Sequence, residues 1–195
     1  MSFRSPRCER VPMSATELAD GYLRFFVLPL WIAAGFVDWL CHRRSQIAST
    51  SGLRESLLHV AQLVEVGIPL LVALLFEIDL TVLALMAAGF VLHEFTALAD
   101  VRFAVSRRDV SPFEQHVHSF LEMMPLVALS LIAWIVLPAR LRDGVHAADF
   151  ALRWRPTEPL YIVVLLAAVL VFAVIPYAEE CLRGWRYARR HAASR

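Results

Sequence analysis

The sequence predicts an all-α integral membrane protein with about five transmembrane helices, four of which form an antiparallel bundle around a polar site. Mean hydropathy is +0.58 and 58% of the 195 residues are hydrophobic, which is more apolar than an ordinary soluble domain. A helix needs about 20 apolar residues to cross roughly 30 Å of hydrocarbon. Five apolar runs come close to or reach that length: 23–40, 57–76, 80–99, 120–137 and 160–178.

These runs predict one transmembrane helical domain (23–178) between a polar N-terminal tail (1–22) and a basic C-terminal tail (179–195). The chain has no internal repeat or low-complexity stretch that would divide it further. The short connection Glu77–Asp79 predicts a tight antiparallel hairpin, with both acidic side chains in solvent. Residues 140–155 predict an interfacial helix or loop that ends at Pro156 and Pro159. The fifth run has no ionisable residue, so we expect this run and the tail to provide packing and anchorage.

The arginines indicate an orientation. All 19 basic residues are Arg. If the N-terminus is outside and the C-terminus inside, 11 of them lie in segments on the cytoplasmic side. Because cytoplasmic loops carry an excess of basic residues, this orientation is the expected one. The basic N-terminal tail opposes it. We expect a multi-pass protein of the bacterial inner membrane, surrounded by membrane lipids and without a nucleic-acid partner.

Ionisable side chains occur inside or at the ends of four of the runs, where each costs about 2.5–3.5 kcal/mol at the centre of a helix. Several of them are four residues apart and therefore share a helix face. Runs one and three end, and runs two and four begin, on the same side of the membrane, so these residues lie at one depth. The candidate metal ligands are Asp38, His42, Glu55, His59, His93, Asp100, Glu114, His118 and Glu122.

Carboxylate and imidazole ligands on four antiparallel helices indicate a site for two divalent metal ions, as in ferritin-like bundles. The sequence has no thiolate set of the kind that closed zinc sites use, so iron suits this ligand set best. Manganese or zinc is the alternative metal. Simpler roles exist for several candidates. Glu114 follows Ser111 and Pro112 in a capping-box pattern. Asp38 and His42 sit at a membrane boundary, and Glu122 could form hydrogen bonds between helices, as could Glu65 and Glu94.

In residue chemistry, the pattern over residues 38–122 loosely resembles the membrane-bound non-haem diiron desaturases and hydroxylases. It also resembles carboxylate-bridged ferritin-like and alternative-oxidase-type diiron sites, although Glu-x-x-x-His stands here where those families have Glu-x-x-His. The segments that carry the resemblance are Asp38-x-x-x-His42, Glu55-x-x-x-His59, His93-Glu94 and Glu114-Gln-His116-Val-His118. The resemblance implies a diiron centre that activates dioxygen near the cytoplasmic face.

The leading hypothesis is therefore an integral membrane metalloenzyme, a diiron oxygenase, hydroxylase or desaturase that acts on a lipid-like or apolar substrate with an electron donor. Arg102, Arg107 and Arg108 could bind a lipid head group or redox partner, although basic loops more commonly serve orientation alone. Three alternatives stay open. They are a membrane zinc hydrolase of lipids, a metal-ion or proton transporter, and a haem b electron-transfer protein with His59, His93 or His118 as axial ligands.

Overall fold

The protein forms five long α-helices in a computed structural model, which describes residues 14–155 and 158–192. Each helix is long and apolar enough to cross a membrane, so the predicted fold class of a multi-pass helical membrane protein is confirmed. The described residues contain no β-strand, only an isolated bridge between Phe76 and Trp154. The helices are α1 (Ala15–Arg44), α2 (Leu53–Leu75), α3 (Leu80–Val105), α4 (Pro112–Asp143) and α5 (Pro159–Ala192).

Every helix extends beyond its apolar run. Helix α1 begins inside the predicted polar tail, where the Ser14 hydroxyl accepts a hydrogen bond from the Glu17 amide and the Glu17 carboxylate accepts one from the Ser14 amide. Helix α5 continues through most of the predicted C-terminal tail to Ala192. The rest of both tails (1–13 and 193–195) and Pro156 lie outside the described residues, whereas Pro159 is the first residue of α5.

Two helices contain a wider π-helical turn that ends two residues before a proline. These turns are Leu23–Val27, which precedes Pro29, and Leu170–Val174, which precedes Pro176. Proline has no N–H to donate to the carbonyl one turn earlier and its ring crowds that carbonyl. A π-helical turn is one way in which a helix continues past such a site without breaking.

Helices α1, α2, α3 and α4 surround a common interior, and α5 packs against α1 and α2. Asp79 ends the α2–α3 connection and is 5% exposed, because its carboxylate accepts a hydrogen bond from the Val82 amide and caps α3. The predicted hairpin is therefore present, but Asp79 is a buried cap and not a solvated residue. Gly89 lets α3 approach α2 closely, since an added Cβ would lie 2.6 Å from the Glu65 carbonyl oxygen.

The connection between α4 and α5 folds back onto the α2–α3 hairpin. It contains one 3₁₀ turn, Ala147–Phe150, whose Asp149 forms an ion pair with Arg140 near the end of α4. The amide of Glu77 donates to the Arg153 carbonyl at 2.8 Å, and the amide of Arg155 donates to the Leu75 carbonyl at 2.9 Å. This end of the bundle is opposite the end where the candidate ligands gather.

Candidate metal centre

One end of the bundle contains a dense group of buried ionisable side chains. It draws on the end of α1, the start of α2, the end of α3, the connection to α4, the start of α4 and the C-terminal half of α5. We call this group the polar cluster. Its members are Asp38, His42, Glu55, His59, Asp100, Arg108, Glu114, His118 and Glu180.

The cluster contains seven of the nine predicted ligands, and His93 and Glu122 are the two that stand apart. His93 is buried two turns before Asp100, and neither ring nitrogen has a hydrogen-bond partner among the described residues. It lines an apolar cavity with Trp31 and Leu63. Glu122 is half-buried and lines a small cavity beside the cluster.

Glu180 joins the two central histidines. Its Oε2 lies 3.0 Å from Nδ1 of His42 and its Oε1 lies 2.9 Å from Nδ1 of His59. The two imidazole rings stack in parallel, with centroids 4.2 Å apart and 6° between their planes. An ionised carboxylate only accepts hydrogen bonds, so this network assigns the proton of each ring to Nδ1. In the neutral imidazole, Nε2 then carries the lone pair.

Both Nε2 atoms face carboxylate oxygens. His59 Nε2 lies 3.2 Å from Asp100 Oδ2, while His42 Nε2 lies 3.4 Å from Asp38 Oδ2 and 3.5 Å from Glu114 Oε1. Neither Nε2 makes a hydrogen bond of acceptable geometry within the described residues, and both atoms are buried. In this tautomer two lone pairs would face each other in a buried site and repel, and either a proton on Nε2 or a bound metal ion would remove the repulsion.

Three groups of possible ligand atoms lie within 4.8 Å of one another, each with at least one histidine and one carboxylate. One is Glu180 with the two central histidines, described above, and the other two are the candidate metal-binding groups. In the first of these two, His118 Nε2 lies 2.8 Å from Asp38 Oδ1. Donors that share one metal at about 2.1 Å and roughly right angles are themselves about 3 Å apart and need no hydrogen-bond alignment. The observed spacings match that requirement. The two groups are Asp38, His42 and His118, and Glu55, His59 and Asp100.

Arg108 provides the cluster with a fixed positive charge. Its Nε donates to Glu55 at 3.1 Å and its Nη1 donates to Glu114 at 3.1 Å, while its side chain is only 3% exposed. Burial lowers the pKa of Arg108, but the bonds with Glu114 and Glu55 outweigh this effect and raise the pKa above its ordinary value. Arg108 is thus a buried partner of two predicted ligands, and not only the orienting charge that basic loops usually contribute.

If its three imidazoles are neutral, the polar cluster carries more negative than positive formal charge. Five carboxylates are 2% exposed or less, and Arg108 is the single arginine that contacts them in the described part of the cluster. With the three imidazoles neutral, four negative charges are left uncompensated. Isolated buried charges cost several kcal/mol each, so they are normally paired or bound to metals. Two divalent ions would neutralise the cluster. The five are Asp38, Glu55, Asp100, Glu114 and Glu180.

Sequence reasoning missed Glu180, because it follows the fifth apolar run by two residues and was assigned to an anchoring tail. The signal lies in the spacing. Tyr177, Glu180 and Gly184 share one buried face of α5. A Cβ at Gly184 would lie 3.1 Å from the Leu53 backbone nitrogen, so the glycine allows α5 to approach α2 closely and brings Glu180 to His59.

A cavity of about 20 Å³ adjoins the polar cluster. Its walls include Asp38 and Asp100 with His59 and His118, and therefore carry atoms from both candidate groups. A space of this size accommodates about one water molecule or a small diatomic ligand. The cluster thus has room for one exchangeable ligand beside the protein donors.

No protein family, curated protein or solved structure matched this chain. The class of the protein is therefore defined by its own fold and site. It is a multi-pass helical membrane protein with His, Asp and Glu groups that could bind a metal at one end of the bundle.

Proposed function

We propose that the polar cluster holds two divalent metal ions and that the protein is a diiron oxidoreductase, an oxygenase, hydroxylase or desaturase acting on an apolar substrate. The observation that carries the proposal is the pair of buried Nε2 atoms that face carboxylate oxygens at 3.2–3.5 Å without hydrogen-bond geometry. A metal that accepts the imidazole lone pair and bonds the carboxylate converts this repulsion into two attractive contacts.

Glu180 acts as a positioning residue in this proposal. Ligating histidines commonly donate their second N–H to a carboxylate, which fixes the tautomer and the direction of the metal-binding nitrogen. Glu180 does this for His42 and His59 together. Asp38 and His118 complete one metal-binding group, and Glu55 and Asp100 complete the other.

Iron is the proposed metal because mixed imidazole and carboxylate donors with an open position suit iron that reacts with dioxygen. Bound iron would supply the redox chemistry, and the chain's own residues would hold its ligands, exclude bulk water and orient the substrate. The cavity of about 20 Å³ beside the two groups is the proposed place for a small ligand. Turnover also requires an electron donor, which we expect to reach the cluster from the polar end of the bundle.

The arginine distribution supports the cytoplasm as the location of that end and a bacterial inner membrane as the location of the protein. Membrane lipids then surround the apolar helices and are the nearest source of apolar substrates. Among the alternatives, a mononuclear zinc hydrolase needs three ligands and leaves several buried carboxylates without a cation. A haem needs far more room than the cavity of about 20 Å³ beside the cluster. A transporter binds its ion only transiently.

Metal quantification together with an optical spectrum of detergent-purified protein tests the proposal. Two iron atoms per chain without a Soret band is the expected result. One zinc per chain would support the hydrolase, a Soret band would support the haem protein, and no stoichiometric metal would support the transporter. Each of these three results overturns the diiron proposal.

A paired set of variants makes the test specific to the cluster. His118→Ala should lower the metal content without preventing membrane insertion, whereas His146→Ala, which changes an exposed histidine at the opposite end, should leave it at the wild-type value. Equal metal content in both variants would place the metal outside the cluster.

A further inference from the structure

The half of the bundle opposite the polar cluster contains a cavity of about 540 Å³. This volume lies within the range of small-molecule binding sites, about 300–1,000 Å³. All four helices of the bundle line the cavity, mostly with apolar side chains, so it lies between the helices and is partly open to the surroundings. Representative lining residues are Trp31 on α1, Pro69 on α2, Phe90 on α3 and Ile132 on α4.

A second cavity, of about 110 Å³, lies between this space and the polar cluster. It shares Trp31 and Leu70 with the large cavity, and it shares Gln62 and Tyr177 with the small cavity beside the metal-binding groups. On α1, the lining includes both Arg24 at the mouth and Asp38 beside the polar cluster. Fourteen residues of helix correspond to roughly 21 Å, so the three cavities cross most of the hydrocarbon layer.

The outer mouth of the large cavity is polar but already internally paired. Arg24 lies 2.8 Å from Asp20, and Arg155 lies 3.7 Å from the same carboxylate. Glu17 and Glu77 also line the mouth, and Arg153 lies 3.7 Å from Glu77, so the charged groups of the mouth are largely paired within the protein. Glu65 lines the interior, with Oε2 buried and without a hydrogen-bond partner among the described residues. An anionic ligand would face these carboxylates, whereas an uncharged polar group can form hydrogen bonds at the mouth.

We infer that the neighbouring cavities bind one unbranched hydrocarbon chain with an uncharged polar end, such as a long-chain alcohol. The polar end lies at the mouth near Asp20 and Arg24, and the terminal carbon points through the narrow middle cavity towards the polar cluster. The volume, the apolar lining and the length of the path set the shape of the ligand, and the charges at the mouth set its head group. That this ligand is the substrate rests on the proposed function, whereas its binding does not.

Trp31 provides a direct reporter, because it lines both the large and the middle cavity. The test uses a variant that retains Trp31 and carries Phe at the other four tryptophans, purified in detergent and freed of metal. The probe is hexadecan-1-ol brominated at its terminal carbon, since bromine quenches indole fluorescence on contact. We expect saturable quenching at a stoichiometry of one. A second variant that retains only Trp134, which is 78% exposed, should show the non-saturable quenching of detergent partitioning.

Gly67→Leu should obstruct the path. Gly67 lines the middle cavity, and an added Cβ there meets nothing within 4 Å, so the leucine has space to enter the cavity without displacing backbone. The apparent affinity of the Gly67→Leu variant for the probe should be at least tenfold lower than that of the parent. Gly21→Leu is the matched control, because that glycine also has open space around it in a helix but lines none of the three cavities. It should bind the probe as the parent does.

Non-saturable quenching of Trp31, or equal affinity in the Gly67→Leu and Gly21→Leu variants, would overturn the inference. Equal saturable binding of the brominated carboxylic acid of the same length would overturn the selection of an uncharged end. Because the measurement uses metal-free protein, its result is independent of the metal analysis. If the alcohol binds but the protein as purified contains no iron, only the diiron proposal is refuted.

Discussion

The two halves of the bundle are built on the same helix faces but have opposite contents. On α1, Arg24, Leu28, Trp31, Asp38 and His42 follow each other at spacings of three, four or seven and all point inward. The N-terminal part of this face lines a cavity of about 540 Å³, whereas its C-terminal part joins a cluster beside which only about 20 Å³ is left open. One half is loosely filled and apolar, and the other is closely filled and ionised.

This difference separates two tasks. Charged ligands must be held at fixed distances by neighbouring helices, which requires close packing and hydrogen bonds from groups such as Glu180 and Arg108. A flexible hydrocarbon ligand instead requires volume and an apolar lining. Residues that belong to one half should therefore affect only that half. Matched pairs of variants test this separation.

His59 and His93 form a matched pair across the two halves, since both are 4% exposed histidines on the bundle interior. His59→Ala removes a proposed ligand, so metal affinity should fall by more than the 10–100-fold that is typical of losing an outer partner. His93→Ala should leave metal content unchanged and instead alter binding of the hydrocarbon probe. Metal quantification after dialysis against a competing chelator measures the first effect. Equal metal loss in both variants would show that the metal site includes His93, as the sequence predicts. The two halves of the bundle would then not have separate tasks.

Variants of Arg108 and Arg107 test whether Arg108 stabilises the polar half of the bundle. Arg108→Gln leaves Glu55 and Glu114 buried without their cation, and breaking such a pair costs about 3–5 kcal/mol. For a chain of this size we expect an apparent Tm lower by roughly 10 °C in metal-free protein. Arg107→Gln changes an exposed neighbour that stacks over Phe103 and should shift the Tm by less than about 2 °C. Similar shifts in both variants would show that Arg108 serves orientation alone.

Variants of Glu180 and of the adjacent Glu179 distinguish a positioning role of Glu180 from a general effect of negative charge on metal affinity. Glu180→Gln keeps the size of the side chain, but its amide nitrogen cannot accept the N–H of one of the two histidines. Metal affinity should fall about 10–100-fold, as is usual when an outer carboxylate partner is lost. Glu179→Gln, which changes a partly exposed residue bonded to Trp39, should change affinity less than twofold. Affinity that is unaffected by Glu180→Gln would exclude the proposed control of the histidine tautomers.

The fold class and much of the cluster could be predicted from the sequence because both depend on periodicity. Hydropathy locates five helices, and spacings of four place Asp38 with His42 and Glu55 with His59 on single faces. Depth also follows from topology, since successive helix ends alternate between the two sides of the membrane. Helix position, helix face and depth do not depend on which helices are neighbours.

The remaining contacts depend on how helices pack, which periodicity does not determine. Glu180 reaches His59 because Gly184 allows α5 to approach the start of α2. Arg108 bridges Glu55 and Glu114 because the α3–α4 connection turns inward, whereas sequence alone gives only a basic loop. His93 was expected in the cluster because seven residues are nearly two turns. A shared face fixes direction but not depth, and two turns separate His93 from Asp100 by about 10 Å.

Glu122 gives the smallest expected effect and the sharpest test of where the polar half ends. The sequence predicts it as a ligand one turn beyond His118, but in the structure it is half-buried and lines the small cavity beside the two groups. Its negative charge would still attract a bound cation across that space, with an energy reduced by distance and by partial exposure. We therefore expect Glu122→Gln to weaken metal binding less than tenfold and to leave the Tm of metal-free protein unchanged. Asp100→Asn, which changes a member of a metal-binding group, should exceed that effect by at least tenfold in the same chelator titration. If Glu122→Gln lost metal as completely as Asp100→Asn, Glu122 would be a ligand and the site would extend one helical turn deeper into the membrane.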